Sequence, residues 1–424
     1  MRVVEAATGL WRVAREPGQD GAVSEAVRGI IADVRARGDI ALLELTERFD
    51  GARLTALEVT QAELEAAIAE VGGDGLALLR GAADKIRLFH VKQLRPGFAF
   101  SPRDGVILGQ TVEPLSRVGL YVPGGTAAYP STVLMNAIPA AIAGCPEIVI
   151  TTPPGKDGRV NPWVLAAAHL AGAHYVVKVG GAQAIAALAY GTQPIARVDK
   201  IVGPGNAYVA EAKRQVFGRV AIDMIAGPSE VVIIADSHSN PDHLACDLLA
   251  QAEHDALASA VLLTPDAQLA QAVADAVQRT LPTLSRQAIA HRSMDDHGMA
   301  VITRDLDEAM DIANELAPEH LELSVDDPFA WLPRVKAAGS VFLGRYCPEA
   351  LGDYYAGPNH TLPTNGTARF QSPLSVDDFI KKTQYTYYTR DAFLKEADAV
   401  AQLAHQEGLT AHALSATIRK ESPL

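Results

Sequence analysis

The chain has 424 residues, of which 48% are hydrophobic, enough material for two or more buried cores. Its formal net charge of −13 argues against a nucleic-acid or anionic-membrane surface, because both favour basic patches. No apolar run approaches the roughly 20 residues that span a bilayer, and the N-terminal residues lack a signal-peptide pattern, so we expect a soluble cytoplasmic protein.

The first part of the chain is predicted to be helical. Residues 1–20 are an N-terminal extension, and residues 21–100 carry apolar residues at helical spacing. From about residue 117, short apolar runs alternate with helical segments. Predicted strands are RVGLYV, EIVITTPP, HYVVKVGG and DKIVGPG, and the predicted helices between and after them are VLMNAIPAAIAG, WVLAAAHLAGA, AQAIAALAYG and NAYVAEAKRQVFG. This alternation is typical of a parallel, doubly wound sheet.

The same alternation restarts after the sequence AGPSE. Predicted strands are VVIIAD, AVLLTP, MAVITR, HLELSV and SVFLG, with helices between them. The sequence therefore predicts an α/β fold with two doubly wound, incomplete Rossmann-like units and a helical N-terminal region. We place the first α/β domain at residues 21–110 and 228–372 and the second at 111–227. Residues 373–424 are predicted to form a small helical C-terminal domain, which is too small to bury a core alone and must pack on something.

Three predicted strand-to-helix joints are rich in glycine. They are GLYVPGG with Tyr121, Gly124 and Gly125, KVGGAQ with Gln183, and KIVGPGN with Asn206. Glycine lets a turn approach a ligand, and the following helix offers free N–H groups and the positive end of its dipole. In open α/β sheets, ligands bind at such joints. Tight turns alone would also explain the glycines, so a nucleotide-type ligand is one of two interpretations.

Polar residues occur in a row on a predicted helix over residues 240–255. Asp247, Gln251 and His254 fall on the flank of its apolar stripe. A solvated flank is the ordinary explanation of such a row. Further polar clusters occur at Ser229, at Glu319 and His320, at Asp353 and His360, and at Glu407 and His412.

The polar side chains in these clusters are of types that can bind a metal ion. Oxygen and nitrogen ligands without thiolate suit zinc or a similar divalent ion, and Gln251, His254, Asp353 and His412 would form such a mixed site. Each of these residues alone could equally be an ordinary surface group. Cys145, Cys246 and Cys347 form no CxxC, so they are expected to pack as small side chains, with a catalytic thiol as the alternative.

Eight sequence motifs, taken together in chain order, resemble one known protein family. They are GLYVPGGTAAYPSTVLMNAIPAAIAG, VGGAQAIAALAYGT, VDKIVGPGNAYVAEAKRQVFG, AGPSE, DLLAQAEHD, APEHLEL, GDYYAGPNHTLPT and EGLTAHA. Together they closely resemble histidinol dehydrogenase across nearly the whole chain. The resemblance implies a zinc- and NAD-dependent enzyme that oxidises L-histidinol to L-histidine through L-histidinaldehyde, the last steps of histidine biosynthesis.

The resemblance also implies residue roles. The zinc ligands, one ion per subunit, would be Gln251, His254, Asp353 and His412. Glu319 and His320 would be the catalytic acid–base pair. Substrate contacts would be Ser229, His360 and Glu407, together with His320 and the zinc ligands, and NAD contacts would be Tyr121, Gln183 and Asn206.

The resemblance further implies a homodimer. Its C-terminal segment, 373–424, would cross to the other subunit, so that Glu407 and His412 serve the partner's active site. The domain of residues 111–227 would bind NAD, and the other α/β domain would carry most metal and catalytic residues.

One prediction conflicts with the usual geometry of parallel sheets. Glu319 and His320 fall at a helix-to-strand joint, where no active site is expected. Either a neighbouring element is misread or the pair reaches the cleft from the side. Other functions also remain open: a same-family dehydrogenase of another amino or sulfonated alcohol, a zinc hydrolase with Glu319 as base, or a non-catalytic binding protein. The glycine joints argue against the hydrolase, which needs no dinucleotide.

Overall fold

The computed structural model describes residues 1–12, 21–124 and 129–421. Its strands, numbered in chain order, are β1 (Arg2–Glu5), β2 (Phe98–Phe100), β3 (Val106–Pro114), β4 (Arg117–Tyr121), β5 (Glu147–Thr151), β6 (Tyr175–Val177), β7 (Lys200–Val202), β8 (Ala221–Ile222), β9 (Glu230–Ala235), β10 (Ser259–Thr264), β11 (Gly298–Ile302), β12 (His320–Ser324), β13 (Ser340–Leu343) and β14 (Ile380–Tyr388).

The α-helices are numbered in the same way. They are α1 (Gly21–Arg37), α2 (Asp39–Asp50), α3 (Gln61–His90), α4 (Pro130–Ala143), α5 (Pro162–Ala171), α6 (Gly181–Tyr190), α7 (Ala207–Val216), α8 (Pro241–Ala252), α9 (Ala267–Thr280), α10 (Gln287–Asp296), α11 (Leu306–Leu316), α12 (Pro328–Trp331), α13 (Glu349–Tyr354), α14 (Arg390–Leu394), α15 (Ala397–Gln406) and α16 (Thr410–Glu421). Within the described ranges, none of these helices has the length and apolar composition needed to cross a bilayer.

The chain divides into two compact units. Unit 1 comprises Met1–Gln93 and Leu115–Phe379, and unit 2 comprises Leu94–Pro114 and Ile380–Leu424. Unit 1 contains two parallel sheets. One has five strands in the order β6-β5-β4-β7-β8, and the other has six in the order β1-β11-β10-β9-β12-β13. The α/β class and the two doubly wound sheets predicted from the sequence are therefore confirmed.

Burial explains why these segments form parallel strands. All six residues of β9 are buried, and β4, β5 and β10 are nearly as apolar and as buried. β12 is also buried throughout, although its polar and apolar residues alternate. Strands covered by helices on both faces read as continuous apolar runs, because neither face meets water. The helices that cover them end at glycines with positive φ, as at Gly144 and Gly172, a common C-terminal stop.

The packing differs from the domain boundaries drawn from the sequence. Helices α1–α3 contribute Val27, Ile31, Leu79 and Ile86 to the two cores that cover the five-stranded sheet. Residues 21–93 therefore pack with the 111–227 segment, whereas the sequence grouped them with 228–372. In the N-terminal extension, Arg2–Glu5 pairs with β11 as an edge strand of the six-stranded sheet, and residues 13–20 lie outside the described ranges.

Unit 2 contains more strand than the sequence indicated. β14 pairs antiparallel with β3 along nine residues, and β2 pairs with the other edge of β3. The prediction of helix up to residue 100 is wrong for Phe98–Phe100, and the C-terminal segment is only partly helical. Its helices α15 and α16 pack through the small side chains Ala401, Ala404, Ala413 and Ala416.

Candidate active site

The end of helix α8 carries the first polar group of the site. Asn240 caps the helix by accepting from the backbone N–H of Asp242 at 2.8 Å. Gln251, in the last turn, is fully buried, so the explanation of a solvated flank fails for this residue. With its amide oriented so that the nitrogen faces the acceptors, Nε2 donates to the Glu349 carboxylate, 2.8 Å from Oε2, and Oε1 accepts from the backbone N–H of Glu230 at 2.8 Å.

Glu319 and His320 lie at the amino end of β12. The flanking elements are those predicted: α11 ends at Leu316 and β12 begins at His320. His320 is opposite Val231 in the register with β9, so the pair lies at the amino edge of the six-stranded sheet. The pair therefore reaches the site from the amino side, and the rule that ligands bind at carboxyl ends does not describe this sheet.

The hydrogen bonds of His320 fix its tautomer. Its Nδ1 lies 3.1 Å from the carbonyl oxygen of Glu230, which can only accept, so Nδ1 carries the proton. Nε2 then keeps a free lone pair, and no hydrogen-bond partner reaches this nitrogen among the residues that the structure describes. Burial lowers the pKa of His320 to about 4, which keeps the ring neutral near pH 7. A neutral imidazole with an open Nε2 suits a general base.

Glu319 is held on the other side of the same backbone segment. Its Oε2 accepts from the backbone N–H of Glu230 at 3.0 Å, and the Ser229 side chain also forms a hydrogen bond with its carboxyl group. Burial raises the pKa of Glu319 well above its usual value. A carboxyl group with a raised pKa can both take and return a proton at moderate pH.

A candidate metal centre lies next to this pair. Potential ligand atoms of His254, Glu349 and Asp353 all lie within 4.8 Å of one another. Glu349 and Asp353 are four residues apart on α13, so they share one helix face. Asp353 Oδ1 also lies 3.9 Å from His320 Nε2 and 4.0 Å from His360 Nδ1.

The donor set fits a divalent cation. It combines imidazole nitrogens with carboxylate oxygens, and it contains an orphaned nitrogen at His320. Within the described ranges, neither lysine nor arginine forms an ion pair with Glu319, Glu349 or Asp353. Gln251 fits less directly because both ends of its amide are engaged, although its carbonyl oxygen keeps a second lone pair.

Further buried carboxyl groups lie next to the candidate metal centre, and the sequence did not indicate them. Glu322, two residues after His320 on the same strand face, accepts from the backbone N–H of Glu349 at 2.7 Å and contacts Asp247. Burial raises the pKa of Glu322 to about 8 and that of Asp247 to about 6. Glu230, Glu322 and Glu349 were not predicted from the sequence as site residues. The alternation of His320, Glu322 and Ser324 along one strand was the signal that could have revealed Glu322.

The loop after α13 connects this cluster to the five-stranded sheet. His360 Nδ1 lies 3.0 Å from the carbonyl oxygen of Asp353, and its Nε2 lies 3.4 Å from the Thr132 hydroxyl in the first turn of α4. The neighbouring Asn359 donates to the carbonyl oxygen of Met135 at 2.6 Å. Because α4 follows the first glycine joint, the acid–base cluster lies on the same side as that joint.

The three glycine joints lie at carboxyl ends of the five-stranded sheet. β4 and β7 are neighbours at the point where the strand order reverses, which is where such sheets bind ligands. Tyr121 ends β4, and its hydroxyl accepts from the backbone N–H of Gly181 at 3.2 Å. Gln183 is buried in α6, whereas Asn206 is exposed and caps α7. Gly125 of the first joint lies outside the described residues.

Two predicted site residues lie in unit 2. Glu407 is the C-terminal cap residue of α15, and His412 is in the first turn of α16; both are exposed. Gly408, between the two helices, has a φ of 73°, which matches its expected place just beyond a helix end. The other residues predicted to hold zinc, Gln251, His254 and Asp353, belong to unit 1.

Cys145 and Cys246 are not activated as nucleophiles. Burial raises the pKa of Cys145 to about 11, and burial together with neighbouring carboxylates raises that of Cys246. A nucleophilic thiol needs a lowered pKa, so these two cysteines have the opposite character.

Comparisons with known proteins show the family of this chain. The family model of histidinol dehydrogenase matches residues 13–420. The chain is 55% identical over 409 residues to a histidinol dehydrogenase from Syntrophotalea carbinolica, covering 96% of this chain and 95% of the relative. It is 56% identical over 396 residues to one from Geobacillus kaustophilus, covering 93% of each.

A solved structure agrees as well. The crystal structure of histidinol dehydrogenase from Elizabethkingia anophelis superposes with a TM-score of 0.94 at 37% identity, covering 99% of this chain and 98% of that one. The resemblance noted in the sequence is thus confirmed over nearly its full length. This chain belongs to the histidinol dehydrogenase family.

Proposed function

We propose that this chain oxidises L-histidinol to L-histidine through L-histidinaldehyde, with two molecules of NAD reduced per molecule of product. Family membership supports the reaction. The observation that supports the chemistry is the neutral, buried His320, whose Nε2 faces Asp353 with no hydrogen-bond partner among the described residues. Zinc, when bound, would position the substrate's amine and imidazole, and NAD would accept a hydride in each oxidation.

His320 performs the first proton transfer in this proposal. Its Nε2 accepts the proton of the substrate hydroxyl, while its Nδ1 stays bonded to the Glu230 carbonyl. That bond keeps the ring in one orientation and stabilises the charge that develops on it. Because the ring is neutral near pH 7, no prior deprotonation is needed.

Glu319 acts in the second oxidation. It takes a proton from a water molecule as that water adds to the aldehyde carbon, giving the gem-diol monoanion. The C–H hydride of this anion would pass to the second NAD, which leaves the carboxylic acid. The raised pKa of its carboxyl group strengthens it as a base in its ionised form. Ser229 and the Glu230 N–H hold the carboxyl group in place.

The chain's own residues also define the binding sites in this proposal. His254, Asp353 and Gln251 would hold zinc, with Glu349 beside them, and His412 of a second subunit would complete the set. Ser229, His360 and the partner's Glu407 would contact the substrate. Tyr121, Gln183 and Asn206 would contact NAD. The homodimer and the cytoplasmic location stay predictions from the sequence.

Counting products tests the proposal. The purified protein is incubated with L-histidinol and NAD, with and without a chelator, and NADH and histidine are both measured. We expect a ratio of about two NADH per histidine, as two hydride transfers require, and loss of activity with the chelator. A ratio near one would reject the double oxidation, and activity on another amino alcohol alone would support the same-family alternative.

A further inference from the structure

A fully buried ion pair lies beneath the turn between β7 and α7. Lys213 of α7 and Asp223, which follows β8, form this pair, with side chains only 2% and 1% exposed. Removing two charges from water costs free energy, and a well-packed apolar pair of similar size is often no less stable. Stability alone therefore does not explain the pair, and its hydrogen bonds indicate what else it does.

Both charged groups bind the backbone of one residue, Gly203. Lys213 Nζ donates to the carbonyl oxygen of Gly203 at 3.0 Å. The backbone N–H of Gly203 donates to Asp223 Oδ2 at 2.7 Å, and Asp223 Oδ1 accepts from the N–H of Met224 at 2.6 Å. The pair therefore fixes the orientation of the peptide groups on either side of Gly203.

Gly203 is also the point where the turn meets β4. Its φ of 116° lies in a region that favours glycine, and a Cβ atom there would collide with the backbone of Tyr121. Three residues later, Asn206 caps α7 by accepting from the N–H of Tyr208 at 3.0 Å. A shift at Gly203 would consequently move Tyr121 and the N-terminus of α7 relative to each other.

We propose that Lys213 and Asp223 are positioning residues for NAD. They hold the β7–α7 turn so that Tyr121, Asn206 and the N-terminus of α7 present one fixed surface to the dinucleotide. This inference rests on the proposed function, because it assumes that NAD binds at these joints. Both side chains are buried, so they act through the turn and do not touch the cofactor.

The same strand offers a matched control. Lys200, the first residue of β7, pairs with Asp378 at 2.7 Å, at the opposite end of the strand from Gly203. That pair is also largely buried, with side chains 11% and 27% exposed. Its loss removes the same charges from unit 1 without touching the turn.

The experiment compares two double variants. Lys213→Met/Asp223→Leu removes the pair and leaves no isolated buried charge, and Lys200→Met/Asp378→Leu is the control. KM for NAD and for L-histidinol, and the rise in Tm on adding NAD alone, are measured for each. We expect KM for NAD to rise about tenfold in the first variant, because small displacements of a binding group cost that much or more. KM for L-histidinol should change less than about twofold, and the control should change neither constant by more than that.

The other possible results of this experiment would contradict the inference. An unchanged KM for NAD in a folded first variant would overturn the inference, as would a parallel rise in both KM values or an equal effect in the control. If the first variant does not fold, Lys213→Met/Asp223→Asn replaces it, because asparagine keeps the shape of Asp223 and no isolated charge is left. This variant should still lower the Tm rise caused by NAD; an unchanged rise would overturn the inference.

Failure of the proposed function gives a different result. The wild-type protein could bind NAD, as shown by a rise in its Tm, and yet form no NADH from L-histidinol. This result would reject the proposed reaction, and the Tm measurements on the variants would still test the inference. A wild-type protein whose Tm does not respond to NAD would reject both.

Discussion

Nε2 of His320 lies 3.9 Å from Oδ1 of Asp353, a distance too long for a hydrogen bond and suited to a group placed between them. The opposite ring nitrogen is held by the Glu230 carbonyl at 3.1 Å. This arrangement places a proton acceptor and a candidate metal ligand on either side of one small space. Four predictions test the roles of the residues around it.

Replacing His320 with alanine should slow both oxidations. The imidazole is the only proposed acceptor for the hydroxyl proton, and loss of a general base costs about 10²–10⁴-fold in rate. Initial rates with L-histidinol and with L-histidinaldehyde measure the two steps separately. His291→Ala, at an exposed histidine of α10, is the control and should retain wild-type rates. A loss of less than threefold in both steps would contradict the role given to His320.

Glu319→Gln should stop aldehyde oxidation much more than alcohol oxidation. Glutamine keeps the shape and the bond from the Glu230 N–H but cannot take a proton from water. The expected loss is about 10²-fold or more in the aldehyde step. Glu315→Gln, at an exposed carboxylate that pairs with Arg12, serves as the control. Equal losses in the two steps would argue against Glu319 as the base that activates water.

Zinc content should depend on His254 and Asp353. His254→Ala and Asp353→Asn each remove one donor from the cluster, and zinc affinity should fall by more than about tenfold. Competition with a chromogenic chelator measures this affinity without an activity assay. His238→Ala changes a second cluster, Asp236, His238 and Asp326, whose carboxylates already pair with Arg345. If that control loses as much zinc, the assigned centre is wrong.

The dependence of folding stability on pH should show the titration of the Glu322 carboxyl group. Burial raises its pKa from about 4.5 to about 8, so the folded state binds its proton more tightly than the unfolded state does. The stabilising contribution of that proton is complete below about pH 4.5 and is lost as pH rises to 8. In metal-free protein, Glu322→Gln should flatten this decline, with a relative gain on the order of 1 kcal/mol at pH 8. Parallel stability curves for the two proteins would exclude a titration of Glu322 in this range.

The sequence predicted where the polar clusters lie along the chain, but it did not predict how their side chains are arranged in space. The strict helical period of Leu244, Leu248 and Ala252 predicted α8 and placed Gln251 on its flank, but the packing of α13 against that flank determines its burial. Glu319 and His320 were identified by their motif. Their position at the amino edge of a parallel sheet was not predictable from sheet geometry.

Buried charges were the main features that the sequence did not reveal. Lys213 occupies the stripe of Val209, Ala212 and Val216 on α7, a position that periodicity assigns to the core, yet its charge suggested exposure. Glu349 stands four residues before Asp353, a spacing that could have indicated a shared helix face. The partner of Lys213 is Asp223, and Gln251 donates to Glu349. Both partners come from other elements, so the pattern of a single helix cannot predict the pairing.

The pairing of the strands in unit 2 could not be predicted either, because the paired strands lie far apart in the sequence. The segment IKKTQYTYY has the threonines and tyrosines typical of a strand, but its partner β3 precedes it by more than half of the chain. Val106 pairs with Tyr388, and Pro114 pairs with Ile380.

That pairing has a consequence for how the protein is made. When the ribosome has completed unit 1, β3 still lacks the strand that covers one of its edges, and the 9 residues of Ile380–Tyr388 must follow before that strand is present. An uncovered edge invites pairing with other chains. Nascent chains that stall between Phe379 and Tyr388 should therefore be the species that aggregate during synthesis and that chaperones engage.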